Sequence, residues 1–390
     1  MVHTRERLAM TTPASHSEST PVVLTELTDA GVSIWLDDLD RHRLESGNLS
    51  DLIRTRAVRG VTTNPTIFGR AITGESSAYA AQIASLAAAG VDAEGAVRAM
   101  TTDDVRAACD LFTPLWETSG GADGRVSIEV DPRLARDTKA TITQARELWA
   151  EVNRPNVLIK IPATLEGLPA ITEVLSDGIS VNVTLIFSLE RYAAVLDAWM
   201  SGLDLALARG HEPSSIVSVA SFFVSRIDTA VDNALDALDS PEAQDLRGEA
   251  ALASARLAWG VYTEAMASPR WAALRDQGAH PQRPLWASTG VKDPAFPDTR
   301  YVLGLAAPGC VNTMPEKTLD AVADHGVFEG DTVSGTQQAS REIWDRLEAL
   351  GITEAGVAAH LEEAGVESFE KSWIDLLDAV VGQLSAARPA

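Results

Sequence analysis

Residues 156–164 read NVLIKIPAT. Such a near-continuous apolar run is the signature of a strand covered on both faces, as in parallel sheets flanked by helices. Yet Lys160 stands in the middle of it, between Ile159 and Ile161. Lysine is rarely buried without a partner or a task. The chain is also sparing with it: the lysines are Lys139, Lys160, Lys292, Lys317 and Lys371, and the other basic residues are arginines. A sequence that prefers arginine has kept a lysine where a charge is most expensive.

Strand-like and helix-like segments alternate outward from this run. The strand candidates are 32–38 (VSIWLDD), 60–65 (GVTTNP), 125–131 (RVSIEVD), 156–163, 180–187 (SVNVTLIF), 216–224 (IVSVASFFV), 284–289 (PLWAST) and 301–307 (YVLGLAA). Each is rich in β-formers or bounded by Gly, Pro and Asn. Between them lie stretches with helical apolar spacing. The stretch from Asp131 carries an Asp-Pro start signal, and that from Ser188 opens on a serine cap and closes at Gly210. After residue 316 the pattern is helical, with 354–365 and 368–384 reading as separate helices. Strands alternating with helices predict an α/β fold with a parallel sheet, and eight strands predict a closed (β/α)8 TIM barrel with extra N- and C-terminal helices. No G-x-G-x-x-G follows the first strand, which argues against an open dinucleotide-binding sheet. The first 21 residues, polar and proline-containing, read as a disordered leader. Residues 22–390 read as one barrel domain that includes the C-terminal helices.

Composition narrows the function. A formal net charge of −23 leaves no basic face for nucleic acid. No apolar run approaches the ~20 residues that span a membrane. Cys109 and Cys310 form neither a metal spacing nor a disulfide framework, so a reducing, cytoplasmic setting is expected.

Catalytic groups of such barrels sit at the C-terminal ends of the strands. Asp37 and Asp38 end the first strand, and Asn64 ends the second. Glu129 lies in the third and Lys160 in the fourth. Asn182 and Thr184 share one face of the fifth, Ser221 lies in the sixth with Arg226 just past its end, and Ser288 lies late in the seventh. Each alone has an ordinary structural explanation, such as a cap, a turn or a satisfied hydroxyl. For Lys160 that explanation is a buried ion pair with Glu129. Together they suit a Schiff-base enzyme acting on a hydroxylated carbonyl compound. Lysine attacks a carbonyl only as the neutral amine, which burial favours. Arginine stays protonated and could not do this.

The stretches GVTTNPTIF, SIEVDPRLARDT, VLIKIPAT, SVNVTLIFSLERY and SVASFFVSRID resemble those of the transaldolases, and LWASTGVKDPAF with VNTMPEKTLDAVADHG resembles their longer bacterial branch. The likeness runs from about residue 22 onward. It implies transfer of a dihydroxyacetone unit from sedoheptulose 7-phosphate to glyceraldehyde 3-phosphate, in the non-oxidative pentose phosphate pathway. It implies Lys160 as the Schiff-base residue, Asp37 as the group that takes the C4 hydroxyl proton, and Glu129 with Thr184 as holders of a catalytic water. Asn64, Asn182 and Ser221 would bind the retained hydroxyls, and Arg226 and Ser288 the phosphate. No metal or organic cofactor is implied, and the chain would act as a monomer or a homodimer. One departure stands out. Short-branch members carry a second phosphate arginine in an ASFR motif where this chain has Gly290, which leaves Lys292 as the candidate replacement.

Three other readings compete. Fructose 6-phosphate aldolases share the resemblance, but with glutamine at the position of Glu129 and tyrosine at that of Phe223. Asp37, Asp38 and Asp40 in WLDDLD could hold Mg²⁺ for phosphoryl chemistry, without the glycine-rich phosphate loop that usually accompanies it. A catalytically silent phosphosugar-binding barrel is the third.

Overall fold

The apolar runs become short strands, four to six residues each, and every one is parallel to its neighbours. The computed structural model describes residues 20–74, 77–238 and 240–388. The strands are β1 (Ser33–Leu36), β2 (Val58–Val61), β3 (Arg125–Glu129), β4 (Val157–Pro162), β5 (Val181–Ile186), β6 (Ser218–Phe223), β7 (Arg283–Ala287) and β8 (Val311–Met314). They close into a barrel in sequence order, with β1 pairing β8. Helices pack around the outside, so the strands are covered on both faces, as the near-continuous apolar runs require. The expected (β/α)8 barrel is present. The 1–21 leader falls almost wholly on residues 1–19, outside those described.

Barrel packing sets the small residues. Trp35 is fully buried, and a Cβ built on Gly60 beside it in β2 would come within 2.6 Å of the indole. Glycine at 60 is therefore what lets β1 carry a tryptophan two residues before Asp37, on the same face.

The structure corrects three expectations. The eighth strand is not 301–307 but Val311–Met314. Arg300–Leu303 is a helical turn that buries Tyr301 and Val302. A short apolar run cannot be told from a buried helix by pattern alone. Asp131 caps a short 3₁₀ turn, Pro132–Leu134, while the long helix Thr138–Val152 starts at the cap Asp137. Finally, the two expected C-terminal helices are one, Glu354–Ala387. It contains no proline, and Gly365 within it is tolerated at modest cost.

That helix does not simply add to the outer ring. It packs on Pro65–Thr73, Ala80–Ala88, Ala93–Thr118 and Ser225–Asp236, and on β5, and so lies across the C-terminal mouth. A Cβ on Gly365 would stand 3.2 Å from Leu185, 3.5 Å from Phe187 and 3.6 Å from Arg226. The missing side chain brings the helix down onto the strand ends.

Candidate active site

In-register pairing of β3 with β4 sets Glu129 beside Lys160. Both point into the barrel, and Lys160 Nζ lies 3.0 Å from Glu129 Oε2. The ammonium also donates to the Thr63 carbonyl at 3.1 Å. Both side chains are almost wholly buried. The ion pair read from sequence as the structural explanation of Lys160 thus exists, and it is compatible with chemistry. Burial raises the pKa of Glu129, against the opposing pull of Lys160. A carboxylate so raised holds a proton more readily than an exposed one.

Asp37 follows β1 immediately. Its carboxylate accepts from Thr62 Oγ1 at 2.7 Å, and Thr62 Oγ1 lies 2.6 Å from Thr313 Oγ1. Burial raises its pKa, while the Thr62 hydrogen bond, Lys160 and Arg70 pull the other way. The neighbouring acids have other tasks. Asp38 pairs with Arg43 at 2.9 Å, and Asp40 caps Arg41–Glu45 through the Arg43 amide. The WLDDLD carboxylates therefore do not converge on one point, and no metal-competent group of three occurs among the described residues.

A cavity of about 290 Å³ opens above these groups. Its wall includes Asp37, Asn64, Lys160, Thr184, Ser221, Arg226, Ser288 and Lys292, drawn from successive strand ends. Thr184 Oγ1 and Glu129 Oε1 are buried and have no protein partner, so they are the atoms a substrate or water has to satisfy. Asn64 caps Pro65–Thr73 by accepting from the Ile67 amide and still borders the cavity. Asn182 sits one layer deeper, with its amide donating to Ser127 and accepting from Ser221 at 2.7 Å. It braces Ser221 and is not itself part of the wall. Glu129, likewise, borders a neighbouring cavity.

Backbone strain accompanies the site. Leu185, directly after Thr184, has φ 59°, at a register shift between β5 and β6. Ser288 has φ 56°, and its hydroxyl lies 2.9 Å from Ser225 Oγ. Left-handed φ values at non-glycine residues are costly and cluster where function requires them.

Of the wall residues that escape sequence reasoning, two bear most on the site. Arg70 shares a helical face with Thr66 and Ile67, at spacings of four and three, and all three border the cavity. The cap-and-proline signal at Asn64–Pro65 announces that helix, so its inward face was readable. Phe369, on the C-terminal helix, roofs the cavity with its ring centroid 5.4 Å from Lys160 Nζ and 5.6 Å from the Arg226 guanidinium. No local signal marks it, because its position depends on how a distant helix crosses the mouth. Arg70, Arg226 and Lys292 make no ion pair among the described residues, whereas most other arginines do. Unpaired cations around one hollow form a receptor for an anion.

A parallel eight-stranded barrel with a buried lysine–carboxylate pair at its C-terminal mouth suits chemistry on carbonyl compounds through an amine. The family model described as Transaldolase/Fructose-6-phosphate aldolase matches residues 34–380, and the chain belongs to that family. Curated relatives named transaldolase agree over nearly the full length. The chain is 59% identical to that of Mycolicibacterium smegmatis over 365 residues, 94% of this chain and 98% of the relative. It is 58% identical to that of Thermobifida fusca over 93% and 98%. The same identity, over 93% and 98%, holds for the transaldolase of Mycobacterium tuberculosis.

Proposed function

We propose that this chain is a transaldolase that moves a dihydroxyacetone unit between sugar phosphates through an imine on Lys160. The observation that carries the reading is the buried Lys160–Glu129 contact of 3.0 Å, at the base of a cavity that Arg70, Arg226 and Lys292 border without an ion pair among the described residues.

Glu129 takes the proton from Lys160, and the free amine attacks C2 of the ketose phosphate. The carbinolamine hydroxyl then leaves as water, with a proton supplied by Glu129, and the nitrogen lone pair closes the C=N bond. Thr184 and Glu129 hold that water. Asp37 removes the C4 hydroxyl proton, the C3–C4 bond breaks, and its electrons pass into the iminium as an enamine. The aldose phosphate departs, erythrose 4-phosphate from sedoheptulose 7-phosphate. The reverse steps on glyceraldehyde 3-phosphate give fructose 6-phosphate. The iminium is the electron sink, so the scheme uses neither metal nor organic cofactor. Asn64 and Ser221, the latter braced by Asn182, hold hydroxyls of the retained unit. Arg226, Ser288 and Lys292 bind phosphate, and Arg70 joins them across the mouth. Glu129 and Phe223 favour transfer over simple cleavage, since the fructose 6-phosphate aldolases differ at both positions. Residues 22–390 act as one barrel unit, in the cytoplasm. No helix among the described residues is long and apolar enough to cross a membrane.

Borohydride reduction in the presence of fructose 6-phosphate tests this. Mass spectrometry is expected to find a dihydroxyacetone-derived adduct on Lys160, absent from Lys160→Met. An adduct on another lysine, or none on active protein, defeats the assignment. Glyceraldehyde 3-phosphate release should depend on an acceptor such as erythrose 4-phosphate, and full-rate turnover without one would turn the reading to the aldolase.

A further inference from the structure

A second cavity, about 280 Å³, adjoins the first. It runs between β3, the helices Ala93–Thr118 and Thr138–Val152, and Trp373 of the C-terminal helix. Asn64 borders both hollows, Lys160 only the first and Glu129 only the second. The Lys160–Glu129 contact, like Asn64, therefore stands between the two spaces.

The charges around the second cavity are already engaged. Arg133 pairs with Glu94 and Asp131, Arg98 pairs with Glu147 and Glu151, and Asp92 caps its helix through the Gly95 amide. None is left to select an ionic ligand. What remains is Glu129, more than nine-tenths buried, with Oε2 on Lys160 and Oε1 without a protein partner. The space is polar at this point and large enough for several waters, each of which occupies about 30 Å³ in the liquid.

The chemistry needs such a space. Imine formation produces one water and imine hydrolysis consumes one, both at the atoms beside Glu129. On the Schiff-base reading the sugar phosphate then occupies the first cavity, which Phe369 roofs. We propose that the second cavity is the water and proton port of Glu129, which lets water reach and leave the imine without passing the bound sugar. This inference rests on the Schiff-base reading.

Leu148 borders the second cavity and not the first, which makes it the place to intervene. The measurement is enzyme-dependent incorporation of ¹⁸O from labelled water into C2 of fructose 6-phosphate, which reports imine formation and hydrolysis. Leu148→Phe should narrow the port and slow exchange tenfold or more, with KM for fructose 6-phosphate within twofold of the parent. Leu148→Ala should exchange at least as fast as the parent. Thr101→Leu, filling the same cavity from another helix, serves if Leu148→Phe loses its fold by circular dichroism. A folded filling variant that exchanges at the parent rate overturns the port. So does one whose exchange falls only in step with a rising KM, since the cavity would then belong to the sugar's own entrance. Borohydride trapping on the unmodified chain separates this result from failure of the Schiff-base reading, because a trapped Lys160 with unaltered exchange refutes the port alone.

Discussion

Burial raises the pKa of Asp37 above its ordinary 3.8, so ionising it costs the folded state. The sign follows from proton linkage. Between the unfolded and folded values the native protein holds the extra proton, and stability falls as pH rises through that window. Asp37→Asn should therefore raise the melting temperature at neutral pH, and the gain should vanish as pH falls towards 4. The same substitution should lower kcat about 10²–10⁴-fold, the usual worth of a positioned acid–base group. A variant both inactive and less stable at pH 7.5 would show that Asp37 is held as a structural ion. Arg70 makes a second case. If it helps grip phosphate, Arg70→Ala should raise KM for glyceraldehyde 3-phosphate about 10–100-fold, in keeping with the ~1.5–3 kcal/mol of a hydrogen bond to a charged group. Unphosphorylated glyceraldehyde should be used as before, and equal losses for both acceptors would remove Arg70 from the phosphate end. At this scale the sequence was most legible. A lysine in an apolar strand and a glutamate in the strand before it announce themselves by type, and parallel pairing makes them neighbours. Thr62 and Thr313 did not, because a threonine near a strand end looks the same whether it orients a carboxylate or merely fills the sheet.

At the scale of elements, the C-terminal helix Glu354–Ala387 matters most, and the sequence described it least well. Its pattern reads as two helices, and nothing in it says where it docks. Docking is fixed by long-range fit: Gly365 over Leu185 and Arg226, then Phe369 one turn further on over Lys160. Phe369 is 3% exposed, so Phe369→Ala should destabilise the fold by about 3 kcal/mol, the low end for a buried phenylalanine. It should also raise acceptor-free release of dihydroxyacetone relative to transfer, because water gains access to the imine from above. Phe369→Leu should recover most of the stability and part of the ratio. An unchanged ratio in a folded Phe369→Ala would mean that the ring packs without shielding. The misplaced eighth strand has the same origin. Tyr301 and Val302 are as apolar as strand residues, and only barrel closure on β1 selects Val311–Met314 in their stead.

Across the whole molecule, alternation of strands and helices was enough for the barrel, since few architectures satisfy eight such units. The distribution of charge was not so readable. A chain of net charge −23 gathers Arg70, Arg226 and Lys292 at one mouth with no ion-pair partner among the described residues, and no composition reveals that. The roofing helix also has a bearing on how the protein is made. Every strand, and with them Lys160, Glu129 and Asp37, leaves the ribosome before Phe369 does, while a domain generally folds as a unit. The nascent chain therefore holds all eight strands and the whole amine–carboxylate set before it holds the roof. Cover of the lysine from above waits for the last helix made, so a chain cut short before Phe369 would carry the whole reactive set without its roof.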